Sequence, residues 1–100
     1  MTIKKLLISN RGEIASRIIK SAHDMGITCV AIYTEADKNT PYVREADQSF
    51  KLSDSYLNAK EILEIAKKNN VDAIHPGYGF LSENANFANN VKKAGIKWVG

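Results

Sequence analysis

The chain has 100 residues, 44% hydrophobic and 25% charged, with a formal net charge of +3. That length is modal for a single domain and lets one core bury well over half of the unfolded surface. Three absences exclude a membrane protein, an exported chain and a nucleic-acid binder: no apolar run nears the roughly 20 residues of a bilayer span, the first such run is about four residues where an export signal needs roughly 7–15, and the lysines fall in scattered pairs without an arginine-rich or aromatic platform.

In chain order, KKLLIS (residues 4–9) is short, apolar and bounded by polar residues, as is a strand buried on both faces. Ile14, Ile18 and Ala22, with Ala15 and Ile19 beside them, repeat at four-residue spacing, which predicts an amphipathic helix closed by Gly26 as its C′ residue. TCVAIY (28–33) reads as a second buried strand. The single cysteine, Cys29, lies inside it as a small buried hydrophobe, which rules out an internal disulfide and points to a reducing, cytoplasmic setting. QSFKL (48–52) and VDAIH (71–75) supply two more strands. Between them a helix begins at Asn58, whose side chain caps it while Glu61 reaches back, and Ile62, Ile65 and Ala66 form its inward stripe. A third helix takes Ser82 as N-cap, turns Phe87, Ala88 and Val91 inward and ends at Gly95, ahead of a fifth strand in IKWVG (96–100). The pairs Lys67/Lys68 and Lys92/Lys93 fall in last helical turns, where cations complement the helix dipole.

Strands alternating with helices in this way predict the α/β class, with a doubly wound parallel sheet of about five strands and helices on both faces. Ligands of such sheets bind beyond the carboxyl ends of the strands, where SNRGE (9–13) and HPGYGFLSEN (75–84) are placed. The first turn has only Gly12, so the G-x-G-x-x-G of a dinucleotide site is missing. Ser9 and Asn10 stand where a phosphoacceptor domain would cluster acids. Glu35 and Asp37 read as turn formers or helix caps ahead of ribose ligands.

The second loop carries more than a turn needs. Gly77 and Gly79 allow backbone to approach a ligand with no Cβ in the way, and equally they shape a tight turn with Pro76. His75 has no partner identifiable in the sequence and reads as a hydrogen-bonded structural residue ahead of an acid or base. Ser82 and Glu83 suit a helix start. Arg11 and Glu13 fit either a charge pair that organises a cleft or an ordinary surface pair.

ISNRGEIASRIIKSAHDMGI, AIYTEADKNTPYVREAD, SYLN and AIHPGYGFLSENANFA, which together span almost the whole chain, closely resemble the N-terminal domain of biotin carboxylase in acetyl-CoA, propionyl-CoA and pyruvate carboxylases. The resemblance implies a Rossmann-like, pre-ATP-grasp domain over residues 1–100, with the ATP-grasp and C-terminal portions lying outside this chain. It implies an ATP-dependent ligase that carboxylates carrier-bound biotin with bicarbonate and Mg²⁺. The nucleotide and metal ligands of that enzyme belong to the downstream portions, so the resemblance gives this chain no catalytic residue and no metal ligand, and no activity on its own. Residues matching the family motifs are Tyr78, Gly77 and Gly79 as a biotin-facing wall, and Arg17, Lys20 and Asp24 on the surface through which such enzymes form homodimers. The implied partners are a biotin carboxyl carrier protein or domain and a carboxyltransferase subunit, with neither nucleic acid nor membrane involved. A stand-alone α/β binding module without catalysis is the alternative. One departure is visible: only Ser53 and Asp54 separate QSFKL from SYLN, where family members commonly have a longer Gly/Pro-containing connection.

Overall fold

A computed structural model describes residues 2–100. Five strands, β1 (Lys5–Ile8), β2 (Thr28–Tyr33), β3 (Gln48–Lys51), β4 (Ala73–His75) and β5 (Lys97–Trp98), form one sheet in the order β3-β2-β1-β4-β5. Every pairing is parallel; Leu7, for example, aligns with Val30 on one side and Ile74 on the other. The central strands are apolar along their length because a parallel sheet covered by helices has no solvated face.

The helices α1 (Gly12–Asp24), α2 (Pro41–Glu45), α3 (Ala59–Lys68) and α4 (Ala85–Lys93) divide between the two faces. Ala15, Ile19 and Ala22 of α1 and Tyr42 of α2 pack on Leu6, Ile8, Cys29 and Ala31. On the other face Ile62 and Ala66 of α3 and Phe87 and Val91 of α4 cover Leu7, Val30, Ile32 and Ile74. Doubly wound α/β architecture is therefore what the chain adopts, and Gly26 closes α1 with φ 77° as expected of a C′ glycine.

Several local expectations are corrected. α4 is capped by Asn84, not Ser82: the Asn84 side chain accepts the Phe87 N–H at 2.8 Å, while Ser82 and Glu83 belong to the preceding turn. Ala88 is only half-buried, because Phe87 and Val91 already fill the contact with the sheet. Asn58 does cap α3, accepting the Glu61 N–H at 3.1 Å. The Glu61 carboxylate, however, takes the Ser53 N–H at 2.9 Å and the Ser53 hydroxyl at 2.6 Å, so it pins the short 53–54 connection in place of closing a capping box. A 3₁₀ turn (Glu35–Asp37) and α2 form between β2 and β3, where no helical periodicity was visible in five residues opened by Pro41. Finally, Ile14 and Ile18 are only half-buried and border a groove, Ile18 packing on the edge of the cluster, while Ala15, Ile19 and Ala22 make the close contact of α1 with the sheet.

Candidate functional site

In the order β3-β2-β1-β4-β5 the chain winds outward in both directions from β1 and β4, so the loops after these two strands meet at the switch point where ligands of such sheets bind. Asn10 sits at the centre of that meeting and is 0% exposed. Its amide nitrogen donates to the carbonyls of Pro76 (2.8 Å) and Tyr78 (2.7 Å), and its Oδ1 accepts the Arg11 N–H at 2.8 Å.

The loop that Asn10 holds is unusually bent. Gly77, Gly79 and Phe80 have φ of 64°, 65° and 46°, three left-handed residues within four positions. A Cβ on Gly77 would lie 2.8 Å from Asn10 Nδ2 and 3.0 Å from Ile14 Cγ2, so this glycine is required by both conformation and space. Gly79 has open space around it and is required by conformation alone. Gly77 N–H donates to His75 Nδ1 at 3.2 Å, and burial pushes the imidazole below its usual range, which leaves His75 a neutral acceptor inside the turn. Phe80 turns back to pack on Tyr56 with ring centroids 5.3 Å apart. Tyr78, between the two glycines, is left 74% exposed.

Arg11 finds its partner 26 positions away. Its guanidinium donates from Nε and Nη2 to the two carboxylate oxygens of Asp37, both at 2.6 Å, and Asp37 is buried. Tyr56 donates its hydroxyl to Asp37 Oδ2 at 2.6 Å and lies 2.6 Å from the hydroxyl of Tyr42, which in turn donates to the Ile32 carbonyl. The Arg11 hydrogen bond holds the Asp37 carboxyl below its usual range against the opposing effect of burial. Among the described residues Glu13 joins no ion pair, so the open question of Arg11 and Glu13 resolves into a pair with a different acid. Glu35 is bound by Lys38 and by Lys51 at the surface and held down to about 2, chiefly by the Lys38 hydrogen bond. Both acids after β2 thus serve the fold of the turn.

A groove of about 460 Å³ runs beside the glycine loop along the outer side of α1, lined by Ile14, Arg17, Ile18, Met25, His75, Gly77, Tyr78 and Val99 among others. It brings Tyr78 and Gly77 onto the same concavity as Arg17. Lys20 and Asp24 lie in a shallower hollow next to it, which Arg17 shares, and form an exposed pair at 3.9 Å. Gly79 stands at the loop tip outside the groove lining.

His23, Cys29 and Asp47 have donor atoms within 4.8 Å of one another near the opposite, amino-terminal end of the sheet. Their bonds are already spent: Asp47 Oδ2 accepts the Cys29 N–H and contacts His23 Nε2, both at 2.8 Å, and burial pushes the Cys29 thiol up to about 11. These groups fasten the start of β2. At the carboxyl end, by contrast, the surface offers an aromatic face and glycine backbone beside one end of the groove, which continues along α1 to Leu6, Met25 and Ile27. This suits holding a flat ligand better than moving protons.

The family model for the N-terminal domain of biotin carboxylase matches residues 2–100. The chain belongs to that family. It is 52% identical to biotin carboxylase 1 of Bacillus subtilis, covering 98% of this chain and 23% of the relative, and 50% identical to the pyruvate carboxylase of Staphylococcus aureus, covering 98% and 9%. A solved biotin carboxylase domain dimer of the Hydrogenobacter thermophilus 2-oxoglutarate carboxylase, in complex with MgADP, ADP and bicarbonate, superimposes with a TM-score of 0.96 at 42% identity, over 100% of this chain and 23% of that one. The chain thus spans less than a quarter of the length of these members. The sequence reading of this biotin carboxylase domain missed Asn10 and the Asp37–Tyr56–Tyr42 network. Asn10 had one usable signal: a carboxamide at a strand's carboxyl end, in the turn that faces a Gly-x-Gly loop.

Proposed function

We propose that this chain is the amino-terminal domain of a biotin-dependent carboxylase, and that its carboxyl-end loops form one wall of the cleft in which carrier-bound biotin is carboxylated with ATP and bicarbonate. The observation that carries this reading is Tyr78, an aromatic ring 74% exposed on a loop fixed at the β1/β4 switch point. The ring stands beside a glycine-bent backbone that Asn10 fastens through two hydrogen bonds, which gives a flat ligand an aromatic face to pack on. The ring, the glycine backbone of Gly77 and Gly79 and the apolar groove fit the bicyclic ring of biotin. In this reading, as the family resemblance implies, ATP and Mg²⁺ bind an ATP-grasp portion outside residues 1–100, in keeping with relatives more than four times as long as this chain. When bound, ATP and Mg²⁺ supply the activation of bicarbonate; this chain's residues orient the acceptor. The partners in this reading are a biotin carboxyl carrier and a carboxyltransferase, and the buried Cys29 suits the reducing cytoplasm.

We further place Arg17, Lys20 and Asp24 at a homodimer interface, supported by their exposure on one face of α1 and by the dimeric form of the Hydrogenobacter relative. One set of measurements on the full-length protein tests both readings. Bicarbonate-dependent ATP cleavage should be stimulated by free biotin, and residues 1–100 expressed alone should show none. Arg17→Glu should shift sedimentation toward monomer. Absence of biotin stimulation sinks the carboxylase, and an unchanged association constant sinks the interface.

A further inference from the structure

We infer that Asn10 is the positioning residue for the biotin-facing loop, and that it sets the orientation of Tyr78 without touching the ligand. The inference rests on the biotin reading of Tyr78 and goes beyond it by naming what holds the ring in place.

A side-chain carboxamide offers two N–H donors on one nitrogen and an acceptor oxygen. Asn10 spends both donors on the carbonyls of Pro76 and Tyr78, which flank Gly77, and its oxygen on the Arg11 N–H. Phe80 on Tyr56 and the buried Leu81 anchor the far side of the loop, whereas around Gly77, which carries no side chain, the only other hydrogen bond among the described residues is Gly77 N–H to His75 Nδ1. The two clamped carbonyls therefore fix the peptide planes on either side of Gly77, and with them the direction in which Tyr78 leaves the backbone.

An aspartate in place of Asn10 would set a carboxylate against two carbonyl oxygens, serine has a single donor, and a longer amide would have to fit an extra methylene into a site that is 0% exposed. Burial removes competition from water, so each bond is strong and each loss is fully felt. A loop that has lost its clamp must order itself when ligand binds, and that ordering is subtracted from affinity. The cost should fall on biotin and not on ATP, because the hydrogen bonds of the clamp run only within and between the β1 and β4 loops.

The test compares Asn10→Ala, Asn10→Ser, Tyr78→Ala and the double Asn10→Ala/Tyr78→Ala variants of the full-length enzyme. Asn10→Ala should raise KM for free biotin on the order of tenfold, with KM for ATP within about twofold of wild type, and should speed amide hydrogen exchange at residues 77–80. Asn10→Ser, which keeps one donor, should fall between wild type and alanine, and it carries the comparison if the alanine variant does not fold. With Tyr78 already replaced, Asn10→Ala should add less than about twofold to biotin KM, since no ring remains to orient. If biotin and ATP KM rise together, or if Asn10→Ala costs as much without Tyr78 as with it, Asn10 is a general structural residue and the inference is overturned. If Tyr78→Ala raises biotin KM and neither Asn10 variant does, the inference falls and the biotin reading stands. If Tyr78→Ala leaves biotin KM unchanged, the biotin reading falls and takes this inference with it, whatever exchange at 77–80 shows.

Discussion

Tyr78→Ala in the full-length protein is expected to raise KM for free biotin roughly 5- to 150-fold and to leave KM for ATP and the melting temperature nearly unchanged. The first effect follows from losing an aromatic contact whose area burial and stacking contribute on the order of 1–3 kcal/mol. The second follows from placement, since the ring is 74% exposed and in neither hydrophobic cluster. Surface substitutions of this kind change stability by about 0.5 kcal/mol or less, which for a domain of this size is under about 4 °C. A buried tyrosine would show the reverse, costing roughly 3–5 kcal/mol of stability with biotin KM intact. Steady-state kinetics and a thermal melt on one preparation separate the cases. An unchanged biotin KM ends the assignment of Tyr78 as part of a biotin wall.

What the sequence disclosed and what it hid divide along the range of the interactions. Strand cores and the Ala15, Ile19, Ala22 stripe repeat within a few residues, and burial enforces such repeats, so they are legible without a structure. Tyr78 was singled out by the likeness of HPGYGFLSEN to a family motif, since no periodicity or local packing rule marks it. The Asn84 cap was hidden by its neighbour, because Ser82 and Asn84 are both competent caps two positions apart and the choice is made by the geometry of the Phe87 N–H. α2 was hidden by brevity, since five residues give no period to read. The partners of Glu61 and Arg11 lie 8 and 26 positions away, and only the folded turn selects Ser53 over the cap backbone and Asp37 over Glu13. Ile14 and Ile18 share the spacing of the core stripe but face a groove, a distinction that depends on where the sheet ends.

The Arg11 pair also sets the largest stability effect expected for any one side chain at the site. Asp37 is 5% exposed at its side chain and Arg11 49%, so Arg11→Ala leaves a buried carboxylate with only the Tyr56 hydroxyl to bond it. Breaking a fully buried pair costs roughly 3–5 kcal/mol, and the exposure of the guanidinium discounts that to about 2–3 kcal/mol here. For a domain of this size the loss in melting temperature is on the order of 8–20 °C at neutral pH. The pH dependence gives the effect its signature. With Arg11 present, Asp37 titrates below its unfolded value, so its contribution is complete above about pH 4 and fades as pH falls through the folded value. Without Arg11, burial outweighs the remaining Tyr56 hydrogen bond and moves Asp37 above its unfolded value, so the variant recovers relative stability as the carboxyl takes up a proton. The deficit against wild type should therefore be greatest near pH 7 and shrink steadily toward pH 4. Asp37→Asn placed in the Arg11→Ala background should restore part of the loss at pH 7, because it removes the stranded charge and keeps an oxygen to accept from Tyr56. Thermal melts of the three variants at pH 7 and pH 4 decide the matter. A deficit equal at both values, or no recovery with asparagine, would show that Arg11 acts through packing and not through the charge of Asp37.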